Sequence, residues 1–152
     1  MARLSIPSDA HHLHRVQVNV RWGDMDALGH VNNTRFFQYF EHVRVTWLRA
    51  VMGSDWKATG AGPVLAHTSC DFKRPVVYPA DLVIDLYSMP PGRSSVETYY
   101  EARLPNDDAP LCAVGHATVV WVDFETGRPT PLPDGFTAVV DALDLQAEDP
   151  ST

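Results

Sequence analysis

The chain has 152 residues, the length of one domain at roughly 100–200 residues each, and such a chain buries about two-thirds of its unfolded surface without a disulfide or metal staple. A composition of 45% hydrophobic and 20% charged residues is that of an ordinary globular protein and excludes disordered and fibrous classes. Twelve Lys and Arg against 19 Asp and Glu leave a net charge of −7, which argues against a nucleic-acid binder or a basic membrane-surface protein, since both draw affinity from cations.

In chain order, residues 1–13 read as an N-terminal arm in which His11-His12-x-His14 is a partly exposed terminal tract. His14–Trp22 alternates polar and apolar residues over nine positions, the mark of a strand with one buried face. After a short polar segment the period changes. Phe36, Phe37, Phe40, Val43, Trp47, Leu48 and Val51 recur at steps of three and four, which predicts a helix of about five turns over Asn33–Met52 with a wide apolar face. Asn32 or Asn33 suits its N-cap, and Gly53 can close it in a left-handed conformation.

A loop of glycine and small residues, Thr59–Pro63, leads to four candidate strands, Val64–Phe72, Asp81–Ser88, Val96–Leu104 and Cys112–Phe124. Turn formers separate them, so they read as antiparallel neighbours. A short helix is expected over Asp134–Leu143, and residues 144–152 read as an acidic tail, leaving 14–143 as the folded domain. One long apolar helix among strands must be wrapped by the sheet, giving an α+β layer of five antiparallel strands. Such a sheet has edges and an outer face that invite a second copy.

Cys70 and Cys112 are too few for a disulfide framework or a zinc site and read as reduced core thiols. The first residues lack the apolar stretch of a signal peptide, and no apolar run reaches 18 residues, so a cytoplasmic location is the default expectation. There is no G-x-S-x-G elbow, phosphate loop or H-E-x-x-H helix. Gly60-Ala61-Gly62 precedes a strand and is no dinucleotide site.

Gly23 to Asn33 is the segment that concentrates chemistry, with two carboxylates, one His and two carboxamides between the first strand and the long helix. The first turn of a helix carries unpaired N–H groups and the positive end of the dipole. An oxyanion formed there meets donors already in place, each worth about 10²–10³ in rate. From the residues alone two readings stand. Asp24 and Asp26 are turn formers and Asn32 a cap, or an ionised Asp acts as nucleophile or base on an acyl group whose carbonyl oxygen points at the helix terminus.

Trp22-Gly23-Asp24-Met25-Asp26-Ala27-Leu28-Gly29-His30-Val31-Asn32-Asn33, followed by Phe36-Phe37-Gln38-Tyr39-Phe40-Glu41, resembles the hotdog-fold acyl-CoA thioesterases of the 4-hydroxybenzoyl-CoA thioesterase family. Cys70–Asp81 and Gly115–Asp123 with Leu132-Pro133 are similar to later segments of that family, so the resemblance spans about residues 14–135. It implies a hotdog fold, a sheet wrapped around one helix, and thioester hydrolysis without a metal or other cofactor. The aspartate of the family's D-x-x-G falls on Asp26, and its oxyanion donor, a backbone N–H seven residues on, falls on Asn33. His30 is similar to a histidine of the plant acyl-carrier-protein thioesterases, although Leu28 stands where those enzymes have an asparagine. Glu41 is a candidate second carboxylate on the helix, whereas His67 and His116 read as structural.

Coenzyme A would bring several phosphate charges to an acidic protein, so a local basic patch is needed. Lys73, Arg74 and Arg128 are its candidates, with Arg93 and Arg103 as further ones. The expected partner is a small-molecule acyl-CoA on a homodimer or homotetramer. The rivals are an acyl-carrier-protein thioesterase, a hotdog module that binds acyl-CoA without turnover, and a hotdog hydratase.

Overall fold

A computed structural model describes residues 2–53, 55–106 and 108–138. Five strands, β1 (His11–Asn19), β2 (Ala61–Phe72), β3 (Asp81–Ser88), β4 (Ser95–Arg103) and β5 (Leu111–Asp123), form one antiparallel sheet around the helix α1 (Asn33–Met52). This is the expected α+β hotdog architecture. The strand order is β1-β3-β4-β5-β2, so β3, β4 and β5 run as a meander while β2 crosses over to pair with β5. The expected simple succession of neighbours is corrected there. A pairing between strands some fifty residues apart leaves no local turn signal.

The helix forms where its period placed it. The Asn32 side chain accepts the Thr34 N–H at 2.9 Å, and Gly53, at a φ of 71°, donates its N–H to the Arg49 carbonyl. Phe36, Phe40, Val43 and Trp47 are buried against the concave face of the sheet, whose inward residues include Leu82, Ile84, Leu86, Tyr100 and Ala117. The Phe40 ring stacks on that of Tyr100 with centroids 4.8 Å apart. Gly115 of β5 lets the helix approach, because a Cβ there would lie 2.5 Å from the Phe40 ring.

Two strand starts differ from the sequence reading by three residues, those of β4 and β5 by one, and β1 ends at Asn19, short of the expected Trp22, which instead opens a single 3-10 turn over Trp22–Asp24. The first strand starts at His11, inside the expected arm, because a bulge between His12 and His14 breaks the alternation that marks a strand. His12 is therefore no loose terminal residue: its Nε2 lies 2.7 Å from Asp85 Oδ1, beside the bidentate Arg15. Likewise β2 starts at Ala61, with Gly62 and Pro63 paired to Val122 and Trp121, because an edge strand tolerates a residue without an N–H. Helical backbone covers 134–138, and the rest of the expected helix and the acidic tail lie outside the described residues. Among the described residues no helix is long and apolar enough to cross a membrane.

Candidate active site

The loop between β1 and α1 folds back on itself through backbone pairs. The Asp26 N–H donates to the His30 carbonyl at 2.9 Å, the Gly29 N–H to the Asp26 carbonyl at 3.0 Å, and Met25 and Val31 form an isolated bridge. Gly29 takes a φ of 79°, which accounts for a glycine three residues after the aspartate. The Val31 N–H reaches the Val76 carbonyl at 2.8 Å, so the loop is tied to the segment that follows β2.

The two aspartates have separate roles. Asp24 is 2% exposed and accepts hydrogen bonds from the Tyr39 hydroxyl at 2.7 Å and the Arg21 N–H at 3.0 Å, with the guanidinium groups of Arg21 and Arg35 nearby. Burial pushes its carboxyl up, but these donors and charges outweigh it and hold it below the usual carboxylate range. The Tyr39 hydroxyl moves the other way, raised by burial and by its bond to that carboxylate. Asp24 thus pins the loop to the helix and has no free face for a reaction.

Asp26 lies at the surface of an open depression of about 390 Å³ that is also lined by Leu28, His30, Asn33, Phe36 and Phe72. Its Oδ1 accepts the Leu28 N–H at 2.9 Å, and its Oδ2 accepts from Asn32 Nδ2 at 3.3 Å. Asn32 therefore faces two ways. Its carbonyl oxygen caps the helix while its amide NH₂ holds the carboxylate, a second function that the sequence reading missed. The residue type carried the signal, because among the common capping residues only Asn carries its donor and its acceptor on separate atoms, an amide NH₂ beside the carbonyl oxygen. The Thr34 and Arg35 N–H groups go to the Asn32 side chain and backbone carbonyl, and the Asn33 N–H has no acceptor among the described residues. A carboxylate and an unspent helix N-terminal donor line one depression.

Lys73 and Arg74 line the same depression, their N–H groups both bonded to the Cys112 carbonyl at 2.8 and 3.1 Å. Arg128 does not join them within this chain. Its carbonyl accepts the Asp123 N–H at the far end of β5, eleven residues from Cys112 and on the order of 30 Å away at strand rise. Arg93, whose carbonyl accepts the Leu132 N–H, does not line the depression either, and Arg103 is spent on Glu101 and the Ala109 carbonyl. Glu41 lines a different depression of about 230 Å³ with Arg44 and the β2 residues Pro63, Val64 and Leu65. His116 is bonded to Glu97 on the outer face of the sheet, and His67 lies beside it with ring centroids 5.6 Å apart. The Cys70 thiol is pushed up to about 12 by burial, and that of Cys112 is raised in the same way, so neither is a ready nucleophile. No group of three His, Cys, Asp or Glu that could hold a metal occurs among the described residues.

Residues 20–140 match the thioesterase-like superfamily. The chain belongs to that superfamily. Among solved structures, this thioesterase-superfamily chain is similar to the PA2801 protein of Pseudomonas aeruginosa, at 38% identity and a TM-score of 0.79 over 86% of this chain and 99% of the other. It is also similar to a thioesterase of Thermus thermophilus solved with coenzyme A and zinc, at 30% identity and a TM-score of 0.72 over 86% of this chain and 92% of the other. The Bacillus subtilis protein YsmA is 33% identical over 113 residues, 74% of each chain.

Proposed function

We propose that the protein hydrolyses acyl-CoA thioesters to the free acid and coenzyme A, with Asp26 as the acting carboxylate and the backbone N–H of Asn33 as oxyanion donor. The observation that carries this reading is their presence on one depression, with Asn32 fixing the carboxylate through the residue that starts the helix. The thioester carbonyl oxygen points at the Asn33 N–H. Asp26 either attacks the carbonyl carbon, giving an acyl-aspartyl anhydride that water then hydrolyses to the free acid, or takes a proton from the water that attacks the carbonyl; in both cases the C–S bond breaks and coenzyme A leaves as thiolate. His30 stands on the rim, and the side chains of Lys73 and Arg74 supply positive charge for the phosphates. The Thermus relative, solved with coenzyme A, supports that carrier.

Replacing Asp26 by Asn removes the charge and keeps the shape. Thiol release from acyl-CoA, followed with a free-thiol colour reagent, should fall by about 10²–10⁴-fold while the melting temperature holds. Full activity in Asp26→Asn would end this assignment, and coenzyme A binding without any release by the wild type would make the protein a binding module. His30 on the rim is the observation that favours an acyl-carrier-protein substrate. The same acyl group offered on both carriers separates the two, and coenzyme A should be preferred. The reading further takes the protein as cytoplasmic and as a homodimer or homotetramer; in support of the assembly, Leu28, 83% exposed, and Val77, 51% exposed, are apolar surface that a second copy would cover.

A further inference from the structure

The residues before β1 do not trail away from the fold. Leu4, Ile6 and Pro7 are half-buried, and the Leu4 N–H donates to Asp71 Oδ2 at 2.6 Å, a contact between residues 67 apart in the chain. This anchor sets Arg3 on the wall of a second open depression of about 450 Å³, together with Cys70, Asp71, Phe72 and Lys73. Phe72 and Lys73 also line the depression that holds Asp26, so the two adjoin. Three cations thus border the trough that the adjoining pair would make, Arg74 in the depression that holds Asp26, Lys73 in both and Arg3 in the second. Asp71 is the carboxylate in the outer part, and it is engaged by the Leu4 N–H and by Lys73 Nζ at 3.6 Å. Arg3 and Arg74 pair with no carboxylate among the described residues, in a chain with seven more acidic than basic side chains.

We propose that the N-terminal arm is part of the carrier site and that Arg3 binds a phosphate of coenzyme A. The inference rests on the acyl-CoA reading above and names the group that receives the distal end of the carrier. The physical case is one of shape and charge together. A thioester at Asp26 sends its pantetheine arm along the trough past Phe72 and Lys73, and an extended ligand with phosphates at its far end meets the guanidinium held by the Leu4 anchor. A guanidinium with no internal partner is a fork-shaped donor for phosphate oxygens, and it costs no broken ion pair to use. The sequence candidates for this patch all lay among the later strands, from Lys73 onward; the arm was not among them because its distance in sequence hides its return to Asp71.

The test is binding, measured by titration calorimetry with coenzyme A and with pantetheine, which lacks the phosphates, on the wild type, Arg3→Ala and Arg3→Lys. Arg3 is exposed and outside every strand, so the variants should keep the wild-type melting temperature. Arg3→Ala should weaken coenzyme A about five- to tenfold and leave pantetheine unchanged, Arg3→Lys should recover part of the loss, and the difference should shrink as salt rises. In turnover the same variant should raise KM for acyl-CoA and leave kcat alone. Unchanged coenzyme A affinity in Arg3→Ala, or an equal loss for pantetheine, overturns the arm's role and leaves the hydrolase reading standing. A wild type that neither binds coenzyme A nor releases it from acyl-CoA overturns both.

Discussion

Asn32 shows how one side chain serves stability and chemistry with different atoms. Its Oδ1 accepts from the Thr34 N–H at 2.9 Å and the Thr34 hydroxyl at 2.7 Å, which leaves Nδ2 to donate to Asp26 Oδ2. Substituting Ser separates the two roles. A serine hydroxyl caps a helix as well as an asparagine does but has no amide to reach Asp26, whereas Ala loses both functions. Asn32→Ser should therefore retain the stability of the wild type to within about 0.5 kcal/mol, while Asn32→Ala loses about 1 kcal/mol. Both should lower kcat for thioester hydrolysis to a similar extent, because Asp26 loses the same donor in each. Denaturant unfolding and initial rates on the same preparations check this, and activity that tracks capping strength would show that Asn32 acts through the helix alone. In the sequence these roles were legible in part. The family resemblance placed the D-x-x-G aspartate on Asp26 and not on Asp24; in the structure Asp24 is spent on internal donors and Asp26 is open to the depression. The double duty of Asn32 was not legible, since a cap and a carboxylate six residues apart meet only when the loop closes.

At the scale of elements, the helix is held to the loop by the buried Asp24–Tyr39 bond as well as by the apolar face that runs from Phe36 to Trp47. The charged form of Asp24 is favoured in the folded protein, so its carboxyl is depressed relative to an unfolded value of about 3.9. A depressed carboxylate stabilises the fold above the unfolded value, and that contribution is lost as pH falls below it toward the folded value. Asp24→Asn keeps the size and mimics the protonated state. Its unfolding free energy should fall short of the wild type by about 1.5–3 kcal/mol at neutral pH, and the gap should close as the pH drops below about 4. Chemical denaturation at neutral and at acid pH gives the comparison, and a gap independent of pH would assign the effect to packing instead of charge. Element types followed from period for β1 and α1, each with one apolar face, and from the turn formers between them for the four later strands. What period could not supply was the start of β1, masked by the bulge after His12, and the crossover of β2 to β5, which depends on contacts between distant residues.

For the whole molecule, the sheet's two edges are unlike. The β1 edge carries exposed Arg15, Gln17 and Asn19, polar side chains that discourage pairing with another strand, whereas β2 shows Val64 and Leu65, 44% and 43% exposed, on a strand of 12 residues. An edge with exposed apolar residues at its middle is suited to a second strand, and a twofold pairing of β2 with its copy would be antiparallel and self-complementary. Such a pairing sets the Ala61 end of one β2 beside the Phe72 end of the other. Arg128, near Asp123 and hence near Ala61, and Glu41, beside Pro63 and Val64, would then approach the partner's Asp26 depression. Arg128 and Glu41, which one chain leaves away from its own site, are thus two candidates that this symmetry would bring to the other's. Light scattering should accordingly give the wild type a mass of two chains or a multiple of two. Leu65→Lys, a change at an exposed position outside the core, should shift it toward one chain while far-ultraviolet circular dichroism is retained. If the partner contributes to the site, hydrolysis should fall with the dimer fraction and recover as protein concentration rises, and Arg128→Ala should raise KM for acyl-CoA in the dimer. A fully active wild-type monomer at micromolar concentration would refute the shared site and leave Arg128 and Glu41 as surface charges.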